Sequence, residues 1–67
     1  MQVAVVLVGD PNPEEQLAAL RASQYEVTKV VPIGKADAVV VICKEHYGIP
    51  HEVSRRVIPR YVYRVPA

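Results

Sequence analysis

Side chains capable of chemistry cluster after two aliphatic segments of this 67-residue chain. The run VAVVLV (residues 3–8) is followed by Gly9 and Asp10, and the run AVVVIC (residues 38–43) is followed by Lys44. Segments that are apolar on both alternations are typical of strands covered on both faces, so these polar residues lie at strand ends. If the two strands run parallel, their ends meet at the sheet edge where open α/β folds bind ligands.

This edge forms a candidate ligand site. Its members come from both strand ends, the following loop and the next helix start: Gly9, Asp10, Asn12, Lys44, His46 and His51. A small molecule or a nucleotide is the ligand class that such an edge would hold. However, the first turn has one glycine in place of a Gly-rich run, and the carboxylates of Glu14 and Glu15 would repel a phosphate. Ligand binding is therefore an alternative rather than the principal expectation.

The same residues offer little for metal binding or catalysis. Cys43, His46 and His51 are zinc-binding residue types, but the spacing C-x2-H-x4-H lacks the paired framework of established zinc sites. Nucleophilic attack by Cys43 with His46 as base would need an exposed thiol, and a cysteine that ends an apolar strand is usually buried. We therefore expect no metal, no cofactor and no enzymatic activity.

A second candidate site is basic and lies near the C-terminus. Its guanidinium groups belong to Arg55, Arg56, Arg60 and Arg64. Single-strand nucleic-acid binders combine such groups with stacking rings. In the strand RYVYRV (residues 60–65), however, alternation directs the arginines and tyrosines to opposite faces. Nucleic-acid binding through these arginines is therefore a further alternative.

Composition limits the class of protein. The formal net charge is only +1, which argues against a non-specific nucleic-acid binder over the whole chain. Residues 1–33 sum to −2 and residues 34–67 to +3, so an anionic partner would favour the C-terminal half. One cysteine excludes an internal disulfide, and the length predicts a single domain, residues 1–67.

The pattern predicts six elements in the order β-α-β-β-α-β. Asn12 and Glu15 match a capping box, which starts the first helix at Pro13. Residues 25–31 alternate as an outer strand, and residues 32–37 form a connection. Pro50 opens a second helix, predicted over residues 51–58 with Val57 facing inward, and residues 60–65 form an edge strand.

Two folds accommodate this order. A minimal Rossmann-like α/β fold has a parallel four-stranded sheet in the order 2-1-3-4, with one helix on each face. A ferredoxin-like α+β sandwich has the order 4-1-3-2, with both helices on one face. The two doubly apolar strands favour the first fold. The six-residue connection favours the second, because it barely spans the return path that a parallel strand needs.

A resemblance favours the Rossmann-like fold. The segment KADAVVVI, a polar loop, His51-Glu52 at a helix start and the closing YRVP together resemble the second half of small Rossmann-like domains of unknown function from bacteria and phages. The resemblance covers residues 35–66. It implies the fold and a contact edge for a ligand or a protein, and it implies no activity.

Size and hydropathy suggest the setting and the partners. The first apolar stretch is too short for a membrane span and lacks a basic leader, so we expect a cytoplasmic protein without a membrane partner. A core this small is often stabilised by association, which predicts a homodimer or a larger protein partner. The principal expectation is a non-enzymatic protein-interaction or regulatory module, such as an accessory protein of a phage or mobile element.

Overall fold

The structure, a computed structural model, describes residues 1–66 of the chain. Its elements follow the predicted order, with an added 3-10 turn before the third strand. They are β1 (Gln2–Val8), α1 (Pro13–Ser23), β2 (Lys29–Val30), the 3-10 turn (Ile33–Lys35), β3 (Ala38–Lys44), α2 (His51–Ser54) and β4 (Arg60–Val65). Within residues 1–66, neither helix is long and apolar enough to cross a membrane.

The four strands form one sheet in the order β2-β1-β3-β4, and every neighbouring pair is parallel. This order confirms the minimal Rossmann-like prediction. The ferredoxin-like alternative is wrong, because it requires β2 and β3 to pair as an antiparallel hairpin, and β1 lies between them. Strand β3 is central, and its six apolar residues are fully buried, as expected for a strand covered on both faces.

Two apolar clusters lie on opposite faces of the sheet. Val39 and Val41 of β3 belong to the cluster that includes Val53 of α2. The alternate residues Val40 and Ile42 belong to the cluster that includes Ala19 and Leu20 of α1. One helix therefore covers each face, and α1 crosses β3 and β4 rather than β1 and β2.

Strand β2 is much shorter than the predicted strand over residues 25–31. Only Lys29–Val30 pairs, and it pairs with the start of β1. Val30 and Ala38 both lie level with Val3, on opposite sides of β1. The connection therefore only crosses β1, a distance of two strand spacings or about 10 Å in total. It does not have to return along the length of a strand. A short β2 thus reconciles the short connection with a parallel sheet.

The first helix begins as predicted. The Asn12 side chain accepts a hydrogen bond from the Glu15 amide at 2.9 Å, and the Glu15 side chain accepts one from the Asn12 amide at 2.7 Å. Pro13 occupies the first helical position, so the capping-box prediction is confirmed.

The second helix is shorter than predicted, and Val57 does not face inward. Helix α2 ends at Ser54, and the Arg56 amide then donates to the Val53 carbonyl at 3.0 Å in a tighter turn. Val57 is fully exposed, at 101% of its reference area. Pro59 restricts the residue before it to extended backbone, so the chain leaves the helix early to reach the start of β4.

Candidate functional site

The ends of β1 and β3 meet at one edge of the sheet. Val8 and Cys43 lie level with each other, so the residues that follow each strand emerge side by side. A Cβ built on Gly9 would lie 2.9 Å from both Cβ and Cγ of Lys44. The parallel topology thus brings Gly9, from the first half of the candidate ligand site, next to Lys44, from the second half.

Gly9 fills a position where other residues would not fit. Its φ of +78° lies in the left-handed region, which L side chains rarely adopt. A Cβ at this position would also lie 2.9 Å from Cε1 of Tyr47. The Lys44 stem and the Tyr47 ring therefore occupy the space in front of Gly9, and the edge is closed by packing at this point.

The polar groups beside Gly9 bind one another. Lys44 Nζ lies 3.2 Å from Glu15 Oε2, and the Asn12 side chain is used by the Glu15 amide. The hydrogen bond from the Asn12 amide holds the pKa of the Glu15 carboxyl below its ordinary value of 4.5. Lys44 lowers this pKa further, and desolvation opposes both effects. Through these contacts with Glu15, Asn12 and Lys44 stabilise the start of α1.

This arrangement disfavours an anionic ligand at the start of α1. The N-terminus of a helix attracts anions, but the first turn of α1 already contains the carboxylates of Glu14 and Glu15. A phosphate would have to displace Glu15 from Lys44 and would then lie beside both carboxylates. The electrostatic support for a nucleotide is therefore weaker than the meeting of strand ends suggests.

The remaining candidate ligand residues are exposed to solvent. Asp10 and His46 both adopt left-handed backbone, with φ of 55° and 74°, and their side chains face solvent. His51 is the exposed first residue of α2. In the described part of the chain, no three His, Cys, Asp or Glu residues form a metal-binding group, and no pocket is enclosed. This edge is an open surface rather than a cavity.

Cys43 is structural in its surroundings. It is fully buried, and its Sγ lies 3.4 Å from the carbonyl oxygens of Lys44 and Tyr47. Nη1 of Arg64 approaches the same sulfur at 3.3 Å and donates to the Tyr47 carbonyl at 2.6 Å. The thiol is therefore covered by the loop that follows β3 and by the side chain of Arg64.

Three of the four candidate arginines lie on the α2 side of the sheet. Arg60 and Arg64 share this face because they pair with Val39 and Cys43, which belong to the α2-side cluster. Arg60 Nη2 donates to the Arg56 carbonyl at 3.2 Å, which ties the start of β4 to the end of α2. Nε of Arg56 is buried without a hydrogen-bond partner among residues 1–66.

The fourth arginine and the tyrosine rings do not join this group. Arg55 is exposed in the turn after α2. Tyr61 and Tyr63 pack against the α1-side cluster. Rings and guanidinium groups therefore occupy opposite faces of β4, as alternation predicted.

Sequence reasoning did not assign Glu15 or Tyr47 to the strand-end site. The sequence indicated that Glu15 caps α1 and would repel a phosphate, but its ion pair with Lys44 depends on where α1 lies over the sheet. Tyr47 gave no signal, because its contact with Gly9 follows from the path of the loop after β3. Both residues reach the site through the tertiary fold.

The sheet leaves open surfaces at its β4 edge and on its α1 side. Strand β4 is the last strand of the order, so within residues 1–66 no strand pairs with its outer side. On the α1 side, β1 and β2 expose an apolar strip, called here the open strip, formed by Val5, Leu7 and Val30. Leu7 is 48% exposed and Val30 is 58% exposed.

Comparisons of the chain with protein-family models, curated proteins and solved structures found no match.

Proposed function

We propose that this protein is a small, non-enzymatic interaction module. A partner binds to it by adding one of its own strands to the outer side of β4. The observation that carries the proposal is that a six-residue strand, paired along its whole length with β3, has an open outer side. Exposed sheet edges are templates for pairing with an extended segment of another chain. The strand-end site supports this choice, because its Asn12 and Lys44 side chains already bind Glu15.

The hydrogen bonds offered by β4 follow from its pairing. The Val39 amide donates to the Pro59 carbonyl, and the Glu45 amide donates to the Val65 carbonyl. The backbone N–H and C=O groups of the odd-numbered residues of β4 therefore point toward β3. Backbone groups alternate in direction along a strand. The amides and carbonyls of Arg60, Val62 and Arg64 therefore point outward, toward an added strand.

A pair of substitutions at Val62 tests strand addition. Val62→Pro removes the outward amide while the ladder to β3 is kept, and edge strands tolerate proline at such positions. Val62→Ala loses similar packing but keeps the amide, which makes it the matched control. Peptides selected from a displayed random library against the wild-type protein should bind the alanine variant and lose binding to the proline variant. Equal binding to both folded variants would refute strand addition at β4.

Self-association is a second proposal, and the open strip favours it. Burying the exposed parts of Leu7 and Val30 against a second copy would remove apolar surface from water. Such a homodimer would leave β4 available for a different partner.

The oligomeric state tests this second proposal. Val30→Asp should shift a concentration-dependent dimer to monomer in sedimentation equilibrium. Val57→Asp is the matched control, because Val57 is also an exposed valine but lies outside the open strip. A wild-type protein that stays monomeric at millimolar concentration would refute the homodimer, as would equal effects of the two substitutions.

A further inference from the structure

The charge on β4 has one sign along its whole length. Residues 53–66 contain four arginines and no aspartate or glutamate. Two of them, Arg60 and Arg64, lie on the edge strand itself, and both are exposed. A strand that pairs with β4 therefore meets positive charge without any negative charge on the same element.

The two arginines are spaced and held in a defined way. They flank Val62 at two residues on either side, on the α2 side of the sheet, about 13 Å apart along the strand. Arg60 is held by the Arg56 carbonyl, and Arg64 is held by the Tyr47 carbonyl. Each of these bonds uses one terminal nitrogen, and a guanidinium has five N–H donors. Donors for a carboxylate therefore remain on each side chain.

The other face of β4 is apolar. Tyr61 and Tyr63 are half-buried against the α1-side cluster, and Val65 is buried there. An added strand would place alternate side chains beside these rings. Its recognition pattern on this face is therefore hydrophobic.

We propose that the partner is an extended acidic segment of another protein, with carboxylates opposite Arg60 and Arg64. Between them, an apolar residue lies opposite Val62, and apolar residues lie beside Tyr61 and Tyr63. The pattern is acidic, three apolar residues, acidic, and it holds for either strand direction because both arginines are equidistant from Val62. This inference rests on the proposed strand addition at β4, and it specifies the chemistry of the added strand.

Full-register pairing with a second copy of β4 is disfavoured at this edge. Antiparallel pairing centred on Val62 would place Arg60 of each copy opposite Arg64 of the other. Like charges directly opposite one another destabilise a strand pair. The arginines therefore disfavour edge-to-edge self-pairing and leave the edge to a strand of opposite charge.

A nucleic acid fits this surface less well than an acidic strand. Single-strand binders stack bases on rings that share a surface with the phosphate-binding groups. Here Tyr61 and Tyr63 lie on the face opposite Arg60 and Arg64. The rings and the guanidinium groups of β4 therefore do not share a face, whereas an added strand uses both faces at once.

The test uses the full chain and three synthetic peptides that differ only at the two charged positions. One carries glutamates there, the second glutamines and the third lysines, with valine midway and isoleucine at the two positions between. Binding is measured by isothermal titration, and the binding site by hydrogen exchange of the backbone amides. We expect the glutamate peptide to slow exchange at Arg60, Val62 and Arg64, and to bind about tenfold more tightly than the glutamine peptide. Its binding should weaken as salt rises.

A charge-reversed variant provides a second measurement. Arg60→Glu, which leaves the Arg64 contacts with Tyr47 and Cys43 in place, should reduce the preference for the glutamate peptide by several-fold. Arg55→Glu is the matched control, because it makes the same charge change outside β4. A glutamate peptide N-methylated at its β4-facing amides should not bind, and this result does not depend on how a protein variant folds.

The outcomes separate the two proposals. If the three peptides bind equally and protect the edge amides, strand addition holds and the acidic specificity is refuted. If no peptide protects these amides, both are refuted. Tighter binding of a single-stranded oligonucleotide than of the glutamate peptide, lost in Arg60→Glu, would assign the basic face to nucleic acid and overturn the inference.

Discussion

Replacing Gly9 with alanine is the sharpest test of how the two strand ends fit together. The change adds one methyl group at a backbone position with φ of +78°. That conformation costs an L residue about 1–2 kcal/mol relative to glycine. The new Cβ would also lie 2.9 Å from atoms of Lys44 and Tyr47, closer than real Cβ contacts.

The two costs combine to a large effect for this chain. The Tyr47 ring is 53% exposed and has room to move, but Lys44 Cβ is fixed by β3, so part of the clash remains. Overpacking of this kind costs about 1–3 kcal/mol. We expect Gly9→Ala to lower the free energy of unfolding by about 2–4 kcal/mol. A chain of 67 residues has roughly 3–10 kcal/mol in total, so the variant should be close to unfolding at 37 °C.

Gly48 provides the matched control. It lies in the same loop as Tyr47, and a Cβ there would meet nothing within 4 Å. Gly48→Ala should change the free energy of unfolding by no more than about 0.5 kcal/mol. Urea denaturation followed by far-UV circular dichroism measures both variants. If they differ by less than about 0.5 kcal/mol, the close packing of Gly9 against Lys44 and Tyr47 is wrong.

Substitutions at Asn12, Glu15 and Arg56 test other parts of the structure. Asn12→Ala removes the cap of α1 and should lower the free energy of unfolding by about 1 kcal/mol; unchanged urea denaturation would contradict the capping role. Folding lowers the pKa of Glu15, so its stabilising contribution is present above pH 4.5 and is lost as the pH falls through the folded value. Glu15→Gln should therefore flatten the acid side of the stability–pH curve, and a curve parallel to wild type would refute this. Arg56→Met removes a buried, unpartnered Nε–H and should keep or raise the free energy of unfolding, by up to about 1 kcal/mol; a clear loss in thermal unfolding would show that Nε has a partner.

The topology could be predicted because burial on both faces constrains a strand strongly. Every residue of β3 from Ala38 to Cys43 must contact an apolar neighbour on one face or the other, and only a central strand satisfies this. Strand β2 could not be predicted in the same way. Residues 25–31 alternate well, but pairing needs a partner within reach, and the short connection to β3 limits pairing to the level of Val3.

The sequence predicted that the ends of β1 and β3 lie side by side, but it did not predict the contacts that form there. Parallel strands bring Gly9 and Lys44 together whatever their neighbours do. Whether Lys44 faces a ligand or an internal carboxylate depends on where α1 crosses the sheet, and that position is set by packing of Ala19 against β3. Sequence periodicity identifies the buried residue types but does not fix this crossing. The ion pair between Lys44 and Glu15 therefore could not be predicted from sequence periodicity.

Charge is the device that protects β4 against pairing with a copy of itself. Proteins guard an edge strand by shortening it, placing charged side chains on it, interrupting it with a bulge or proline, or covering it. Strand β4 keeps six paired residues and an apolar face formed by Tyr61 and Tyr63, and its only charges are the two arginines. Charge of one sign repels a copy of the same strand but attracts a strand of the opposite sign. The features that prevent self-pairing at this edge are thus the same ones that would select an acidic partner.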